Sequence, residues 1–488
     1  MGECATVLVI GTGFSGLCTA IRLKQEGVED FVILERAADV GGTWRDNNYP
    51  GCACDVQSHL YSFSFEKNPD WSRQFATQPE IWAYLRGCAE KYNILPHVRF
   101  NANVVNARFD EASATWVVRT EDGREFKSQL LVSGAGALSN PSIPNTPGLD
   151  SFKGEVFHSA NWRHDVDLRG KRVAVIGSGA SAIQFVPQIA PKVATLDYFQ
   201  RTPPWVMPKP DWVRTAFAKK LMRQWPWVQT LSRGLLYAML ESRVLGFVVT
   251  PKVMKVLEFV GRRHISKAIK DPAKVRAVTP TFSAGCKRVL VSNDYYGALA
   301  RKNVNIVSTA IREVKPDGVV TTDGKTRKAD VIILGTGFKV QDLVPRGAFL
   351  GAGGRDLADV WQGQGGPEAY LGLAVSGFPN LFFLMGPNTG LGHSSMVYMI
   401  ESQVNYVIDA VRTMKAQGLA VVDVRPEVQA QFVKTTQKRL AATVWGSGCK
   451  SWYINESGKN TTLWPGFTFR YRAATNRFTP GDYVLKAK

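Results

Sequence analysis

With 488 residues the chain is too long to fold around one hydrophobic core, so its length predicts two or three domains. A composition of 45% hydrophobic and 21% charged residues is that of an ordinary globular protein and excludes a largely disordered chain. Lysine and arginine outnumber the acidic residues 60 to 41, which gives a formal net charge of +19. Because basic residues occur along the whole chain and no nucleic-acid-binding motif accompanies them, we expect no nucleic-acid partner.

The N-terminal residues predict a βαβ unit. Residues 5–10 and 31–34 are short apolar runs, and residues 14–26 between them have helical periodicity. A strand, a helix and a strand in this order build a parallel sheet. Residues 101–110 and 114–121 are then expected to form an antiparallel pair of strands.

A second βαβ unit follows a linker. Residues 138–149 carry three prolines and predict a domain boundary, after which residues 172–176, 180–189 and 195–199 repeat the order of strand, helix and strand. Residues 211–277 show only amphipathic helical patterns. We interpret them as a helical insertion whose apolar stripe packs on a neighbouring part of the protein, in preference to a membrane-binding patch.

The turn of the first βαβ unit has the glycine spacing of a dinucleotide site. Gly11 permits a tight turn, Gly13 lets the backbone approach a pyrophosphate, and Gly16 lets the helix pack closely on the strand. The helix N-terminus then offers free amides and a positive dipole end to the phosphates. Glu35 ends the next strand, 19 residues past Gly16, where a carboxylate can accept hydrogen bonds from both ribose hydroxyls. Since it would repel a 2′-phosphate, this site predicts FAD or NAD.

The second βαβ unit repeats this turn with one difference. Gly177, Gly179 and Ala182 have the same spacing, but the residue 19 positions after Ala182 is Arg201. An arginine there suits the 2′-phosphate of NADPH, and Thr202 can donate a further hydrogen bond. The other candidate NADPH contacts in this turn are Ser178 and Ser181.

The two cradles predict an α/β fold class with two Rossmann-like dinucleotide-binding domains, one for FAD and one for NADPH, and a helical insertion. A protein that holds both cofactors moves hydride from nicotinamide to flavin. The expected segments are 1–140 and 341–488 for the FAD domain, 141–212 and 280–340 for the NADPH domain, and 213–279 for the insertion.

The cysteines and histidines bear on which electron acceptor reoxidises the flavin. Cys52 and Cys54 are poorly spaced for a redox disulfide and are expected to be small buried filler. The six histidines form no metal-ligand spacing, so no metal is predicted. Seven irregularly spaced cysteines and the lack of a secretory signal predict reduced thiols in a cytoplasmic protein. No integral membrane span is expected, because Glu241 and Arg243 interrupt the longest apolar stretch. Oxygen is the acceptor that requires no further cofactor.

Two longer motifs make a resemblance specific. Residues 41–55, GGTWRDNNYPGCACD, fit position by position the first signature of the type I Baeyer–Villiger monooxygenases. Phe152, Gly154, His158 and Trp162 carry the second signature, although Arg163 stands where that family usually has proline or aspartate. The sequence therefore resembles this flavin-dependent family from its first strand to its C-terminus.

The resemblance implies roles for particular residues. Asp55 is expected to lie by the flavin and to position Arg288, the catalytic arginine, while Lys287 is expected to contact the NADPH 2′-phosphate. His158 and Trp162 correspond to linker residues that couple domain motion to the nicotinamide. The positions at which the family places FAD contacts are Ser15, Thr43, Trp44, Tyr61, Val104 and Met396. The segment Cys449–Tyr453 resembles the family's mobile loop, in which Trp452 is a candidate for lining the substrate pocket.

The implied reaction is the oxidation of a small-molecule ketone to an ester or lactone by NADPH and O2, through a C4a-peroxyflavin. The peroxide must be kept anionic and shielded from water. A fixed guanidinium beside it favours the anion. Two alternatives stay open at this point. One is a related flavin monooxygenase that oxygenates nitrogen or sulfur, and the other is a non-catalytic nucleotide-binding protein recruited to membranes by its charge. Neither the particular ketone nor the oligomeric state follows from the sequence.

Overall fold

A computed structural model of the chain describes residues 3–250, 253–341, 344–446, 448 and 451–487. Its first βαβ unit forms as predicted, and the antiparallel pair after it does as well. The elements up to residue 133 are β1 (Glu3–Ile10), α1 (Phe14–Gln25), β2 (Phe31–Leu34), α2 (Thr43–Asp46), α3 (Gln78–Lys91), β3 (Val98–Arg99), β4 (Val104–Asp110), β5 (Thr115–Thr120) and β6 (Glu125–Ser133).

The middle of the chain forms a second parallel sheet, interrupted by helices. Its elements are β7 (Glu155–His158), β8 (Arg172–Ile176), α4 (Ala182–Ile189), β9 (Thr195–Phe199), β10 (Val206–Met207), α5 (Ala216–Gln224), α6 (Pro226–Ser242), α7 (Met254–Ala268), α8 (Pro272–Val278), β11 (Leu290–Val291), α9 (Tyr295–Ala300), β12 (Val304–Val307), β13 (Ile311–Lys315), β14 (Gly318–Thr321), β15 (Thr326–Lys328) and β16 (Val331–Leu334). The sheet order is β12-β9-β8-β16-β7, and every pair in it is parallel.

The C-terminal part of the chain returns to the first sheet. Its elements are β17 (Phe349–Leu350), α10 (Leu357–Gly363), β18 (Leu381–Phe383), α11 (Met396–Gln417), β19 (Leu419–Val424), α12 (Pro426–Ala441), α13 (Thr468–Ala474) and β20 (Tyr483–Ala487). The order of the first sheet is β17-β4-β5-β6-β1-β2-β3, and β18 pairs with the C-terminal end of β6. Helix α11 packs on α1, so residues from both ends of the chain share one core.

Strands β1 and β16 lie in the interior of their sheets, and they are buried on both faces at residues 7–9 and 331–334. Their apolar runs, VLV at residues 7–9 and VIIL at 331–334, reflect this position, since helices cover both sides of a parallel sheet. The predicted α/β fold class with two Rossmann-like halves is confirmed. The division into domains at the residues given above stays a prediction.

The described residues between 212 and 279 form helices and no strand, as predicted, but the expected packing is wrong for α6. The apolar stripe of α6 faces solvent, with Leu231 54% and Leu235 64% exposed. The helix instead turns its polar residues Gln229, Arg233 and Glu241 toward the protein. Gln229 and Arg233 donate to loop carbonyls, and Glu241 accepts from Thr468, the first residue of α13. No helix in the described part of the chain combines the length and the apolar character needed to cross a membrane.

Candidate active site

The first glycine cradle is shaped by close backbone contacts. Gly11 has a φ of +91°, which disfavours other residues, and a Cβ on Gly16 would lie 1.8 Å from the carbonyl oxygen of Gly11. By contrast, a Cβ on Gly13 would meet no atom closer than 3.9 Å. No side chain caps the start of the 12-residue helix α1, so its first amides remain available to an anion. This cradle fits a pyrophosphate.

Glu35 lies at the end of β2, as predicted, and is held by protein groups. Its carboxylate is buried and accepts hydrogen bonds from the amide and hydroxyl of Thr12, at 3.0 and 2.5 Å. The Ala37 amide (2.9 Å) and Arg45 Nη1 (3.0 Å) bond to its other oxygen. The hydroxyls of a ribose would donate to the same two carboxylate oxygens, which the protein donors already hold in place. The contact between Glu35 and a ribose stays a prediction.

The first signature packs directly on this cradle. A Cβ on Gly42 would lie 3.1 Å from the Cα of Gly13, so a larger residue at position 42 would crowd the first glycine turn. Helix α2 begins immediately afterwards at Thr43, and the indole nitrogen of Trp44 donates a hydrogen bond of 3.1 Å to the Tyr61 hydroxyl. Three of the expected FAD contacts therefore follow from one local arrangement.

The other expected FAD contacts come from separate elements. Ser15 is buried in the first turn of α1. Met396 opens α11, where the hydroxyl of the preceding Ser395 donates to the Leu60 carbonyl, next to Tyr61. Val104 begins β4, close to the loop whose Ala102 amide donates to the Glu35 carbonyl. The structure brings these residues near the cradle, and their contacts with FAD stay predictions.

Asp55 and Arg288 form a two-pronged ion pair across 233 positions of sequence. Arg288 Nη2 donates to both carboxylate oxygens, at 2.7 and 2.9 Å, and its Nε donates at 3.0 Å. The Asp55 carboxylate raises the pKa of Arg288 above its ordinary value, against the opposing effect of burial. The third nitrogen of the guanidinium, Nη1, has no hydrogen-bond partner among the described residues. The Arg288 side chain is 37% exposed, so the guanidinium is not closed off from solvent.

Three further residues near this pair were not singled out from the sequence. Loss of solvation lowers the pKa of both Lys209 and Arg243, and the charge of Asp55 opposes this effect in each case. Tyr453 is 1% exposed, and burial raises its pKa to about 12, with Arg288 pulling it down. No motif marks Lys209 or Arg243, whereas Tyr453 could have been found beside Trp452. The site thus places Lys209, Arg243 and Arg288 near Asp55, with Asp211 also acting on Lys209, and this excess of cations favours anionic ligands and negative charge.

The second cradle repeats the geometry of the first. Gly177 has a φ of +113°, and a Cβ there would lie 2.2 Å from the carbonyl oxygen of Gly335, which follows β16. A Cβ on Gly179 would meet nothing within 4 Å, which leaves space above the turn. The Ser178 hydroxyl donates to the Thr202 carbonyl at 3.0 Å, which ties the turn to the next strand end. Ser181 and Ala182 follow as the N-cap and first residue of α4, with no side-chain cap.

Arg201 and Lys287 lie near each other beside this cradle. Burial lowers the pKa of Lys287, and the positive charge of Arg201 lowers it further. Neither side chain has an acidic partner within 4 Å in the described ranges, and Lys287 lies 4.9 Å from the ring centre of Phe282. Two adjacent cations without an acid repel each other, and a bound dianion such as a 2′-phosphate relieves this repulsion.

The second signature lies between the two folds. His158 ends β7, and its Nδ1 accepts a hydrogen bond of 3.1 Å from the Ala160 amide, while its buried Nε2 has no partner among the described atoms. Trp162 packs between Phe157 and Phe185, with ring centres 5.2 and 5.3 Å apart. Phe152 and Gly154, which complete the motif, precede this strand.

The departure at Arg163 is a surface feature. Its guanidinium forks onto Asp165, two positions along the chain, at 2.6 to 3.1 Å and also reaches Glu155 at 3.4 Å. A cavity of about 350 Å³ borders His158 and Arg163. A second one of about 330 Å³ brings residues 45–48 of the first signature against residues 160 and 161 of the second.

Gln184 links the first signature to the NADPH fold and was missed in the sequence. Its side-chain oxygen accepts from the Tyr49 hydroxyl at 2.9 Å, and its nitrogen donates to the Ala53 carbonyl at 2.8 Å. The loop also packs closely on α4 at Gly51, because a Cβ there would lie 2.8 Å from the Gln184 carbonyl oxygen. The loop carrying Asp55 is therefore fastened to α4.

Two expectations on cysteines and the C-terminal loop can be compared with the structure. Cys52 and Cys54 are free and buried, as predicted, and burial raises the pKa of Cys52 to about 12. Among the described residues, no group of three or more metal-ligating side chains is placed to hold a metal ion. Cys449 and Lys450 lie outside the described residues. Trp452 is 45% exposed, so its role in a substrate pocket stays a prediction.

Two dinucleotide cradles joined at a fixed arginine define a flavoprotein oxidoreductase, and comparison with known proteins agrees. A family model described as flavin-binding monooxygenase-like matches residues 4–343. The chain therefore belongs to the flavin-binding monooxygenase-like family, and it is a flavin-dependent monooxygenase.

Individual relatives are similar over nearly their whole length. A protein named Baeyer–Villiger monooxygenase from Pseudomonas aeruginosa is 54% identical over 481 residues, 98% of this chain and 91% of the relative. One of the same name from Streptomyces coelicolor is 47% identical and covers 99% and 93%. Cyclohexanone monooxygenase from Rhodococcus sp. Phi1, bound to NADP+, superposes with a TM-score of 0.89 at 28% identity over all of both chains. The resemblance seen in the motifs is confirmed.

Proposed function

We propose that the chain is an NADPH- and O2-dependent Baeyer–Villiger monooxygenase, which inserts an oxygen atom next to the carbonyl of a small-molecule ketone and yields an ester or lactone. The observation that carries this proposal is the Asp55–Arg288 pair with its free Nη1. Oxygenation of nitrogen or sulfur, the alternative, does not need a fixed guanidinium, so this ion pair favours the ketone.

The residues present fit the two cofactors. The first cradle with Glu35, Thr43, Trp44 and Tyr61 would hold FAD, and the second with Arg201 and Lys287 would hold NADPH. Bound together, the cofactors supply the hydride and the activation of O2. The remaining work falls to the side chains around them.

Asp55 acts by positioning. Its two oxygens engage Nε and Nη2 of Arg288 and leave Nη1 directed away from the pair. An arginine held in this way remains charged at any working pH and pays little orientation cost when negative charge develops on the substrate oxygen. Lys209 and Arg243 keep the surroundings positive, and the buried Tyr453 covers one side against water.

His158, Trp162 and Gln184 are proposed to couple the two folds. Trp162 packs on Phe185 of α4, and Gln184 of the same helix holds the loop before Asp55. A shift of α4 on nucleotide binding would therefore be transmitted to the position of Arg288. We also propose a cytoplasmic location, which the free and buried thiols of Cys18, Cys52, Cys54 and Cys88 favour. The expectation of reduced thiols is wrong for Cys286, which is disulfide-bonded.

Product analysis tests the proposed function. The purified protein is incubated with NADPH under air and a panel of cyclic, linear and aromatic ketones, amines and sulfides. We expect NADPH-dependent ester or lactone from at least one ketone class. N-oxides and sulfoxides as the sole products across the panel would contradict ketone oxygenation and favour the alternative.

Arg201→Ala is expected to raise the KM for NADPH at least about tenfold, because each charge-assisted bond to a phosphate contributes about 1.5–3 kcal/mol. The KM for NADH, which lacks this phosphate, is expected to stay nearly unchanged. Steady-state kinetics with both nucleotides measure the difference. Arg301→Ala, which removes an exposed arginine elsewhere in the same fold, is the matched control. Equal loss with both nucleotides would assign Arg201 a structural role.

A further inference from the structure

The solvent-facing side of α6 carries no charge. Trp227, Leu231, Leu235 and Met239 are spaced four residues apart along this 17-residue helix and are 61%, 54%, 64% and 45% exposed. The exposed residues between them are Thr230, Gly234, Ala238 and Ser242. A surface helix of a globular protein ordinarily turns its apolar stripe to the core, so α6 is inverted.

The inversion is fixed by buried polar contacts on the other side of α6. Gln229 donates to the Asn68 carbonyl at 2.8 Å, and Arg233 Nη1 donates to the carbonyls of His59 and Ser62, both at 2.8 Å. Rotating the helix to bury its apolar stripe would break all of these hydrogen bonds and leave the loop carbonyls without partners. The exposed stripe is thus part of the folded state.

Helix α5 packs against α6 and adds further exposed apolar side chains beside it. Phe217 on α5 is 75% exposed, and Trp225 at the corner between the helices is 53% exposed. These two residues and the four of the α6 stripe are called the apolar face below. A single exposed leucine needs no explanation, but six large apolar side chains on two adjoining helices mark an interaction surface.

The net charge of the helical insertion that carries the apolar face favours one kind of partner. Residues 213–279 contain fourteen lysines and arginines against three acids, a net charge of +11 out of +19 for the chain. Lys220, Lys255, Arg263 and Lys267 on α5 and α7 are exposed and have no acidic partner within 4 Å in the described part of the chain. Of the three acids, Glu241 lies on the protein-facing side of α6, where it is buried and accepts a hydrogen bond from the Thr468 hydroxyl.

This combination argues against a second copy of the chain as the occupant. Bringing two such regions together would place a net charge of +11 against +11, and this net charge already includes the three acids of each region. An anionic bilayer offers complementary charge, and tryptophans such as Trp225 and Trp227 suit the boundary between headgroups and acyl chains.

We propose that the apolar face docks the enzyme peripherally on an anionic phospholipid membrane. The six apolar side chains enter the headgroup boundary, and the exposed cations of α5 and α7 contact the lipid phosphates. Because α6 ends beside Arg243, whose charge interacts with Asp55, the same helix joins the membrane surface to the candidate active site. The cytoplasmic leaflet is anionic, which agrees with a cytoplasmic enzyme.

Vesicle flotation of the full chain tests this proposal and requires no enzymatic activity. We expect binding to phosphatidylcholine vesicles that contain about 30% phosphatidylglycerol, weak binding to phosphatidylcholine alone, and release at about 0.5 M salt. Leu231→Gln with Leu235→Gln keeps helix-forming residues at exposed positions, and we expect a loss of at least about tenfold in the partition coefficient. Lys255→Glu with Arg263→Glu is expected to lose at least as much, since each cation contributes about fivefold.

Matched controls lie away from the helices. Val105→Gln on β4, 48% exposed, and Lys328→Glu on β15 change the same properties elsewhere and are expected to bind like the parent. Sedimentation velocity on the same proteins follows the oligomeric state, and thermal melts verify folding. Equal binding by the Leu231 and Leu235 double variant and the parent would overturn the proposal. The proposal would also be overturned if the parent fails to bind vesicles and forms a dimer that the double variant dissociates. That result would assign the apolar face to self-association.

Discussion

Arg288→Ala is expected to form ester or lactone at least about a hundredfold more slowly than the parent, from any ketone that the parent accepts. Removing one donor that stabilises developing charge typically costs about 2.7–4 kcal/mol, a factor of a hundred to a thousand. The substitution also leaves the Asp55 carboxylate without its partner, which adds to the loss. FAD content is expected to be unchanged, because no residue of the FAD cradle is altered. Single-turnover mixing and product analysis measure both.

Arg172→Ala is the matched control for this experiment. Arg172 also forks onto an aspartate, Asp330, at comparable exposure, but it lies at the start of β8, away from the candidate site. We expect it to lower stability modestly and to leave product formation intact. Arg288→Lys keeps the charge without the fork and is expected to fall between the parent and Arg288→Ala. If Arg288→Ala retained more than about a tenth of the parent's ester formation, Arg288 would not be the catalytic group.

Gly16→Ala is expected to yield a protein that no longer retains FAD. The added Cβ would lie 1.8 Å from the Gly11 carbonyl oxygen and 2.9 Å from its carbon, both of them backbone atoms that cannot move alone. Helix α1 must shift away from the turn, which is expected to lower the free energy of unfolding by about 3 kcal/mol or more. The absorbance of bound flavin relative to protein and the thermal melt report the two effects separately.

Gly87→Ala provides the comparison for Gly16→Ala. Gly87 lies inside α3, and a Cβ there would meet nothing within 4 Å. Alanine in an open helical position stabilises by about 0.5–1 kcal/mol, so this variant is expected to be yellow and at least as stable as the parent. A yellow Gly16→Ala protein with the parent's melting temperature would show that the close packing at this turn is not needed.

The sequence predicted the two cradles and their strands because these depend on short-range rules. The turn at Gly11 needs a positive φ, and the strand at residues 331–334 is apolar throughout because both sheet faces are covered. Each rule acts within a few residues, so the local pattern contains the information. The family resemblance added Asp55 and Arg288 as partners, and the structure places Arg288 Nη2 2.7 Å from Asp55 Oδ2.

The surroundings of that pair were not readable in the same way. Lys209 follows a proline turn, Arg243 ends a helix of the insertion, and Tyr453 comes from the far end of the chain. No spacing relates them, because their proximity results from how the two sheets and the insertion pack. Gln184 is a similar case, since its bonds to Tyr49 and Ala53 cross 135 and 131 positions of sequence.

By itself, then, the sequence determined the two βαβ units, the cofactor each suits and the family of monooxygenases that the motifs resemble. Only the tertiary structure decided which cations surround Asp55 and which side of α6 faces solvent. Helical periodicity defines an apolar stripe but not its direction, and here the bonds of Gln229 and Arg233 to loop carbonyls determine it. Those carbonyls belong to residues 59–68, more than 160 positions earlier, and their unmet hydrogen-bonding demand outweighs the burial of four apolar side chains.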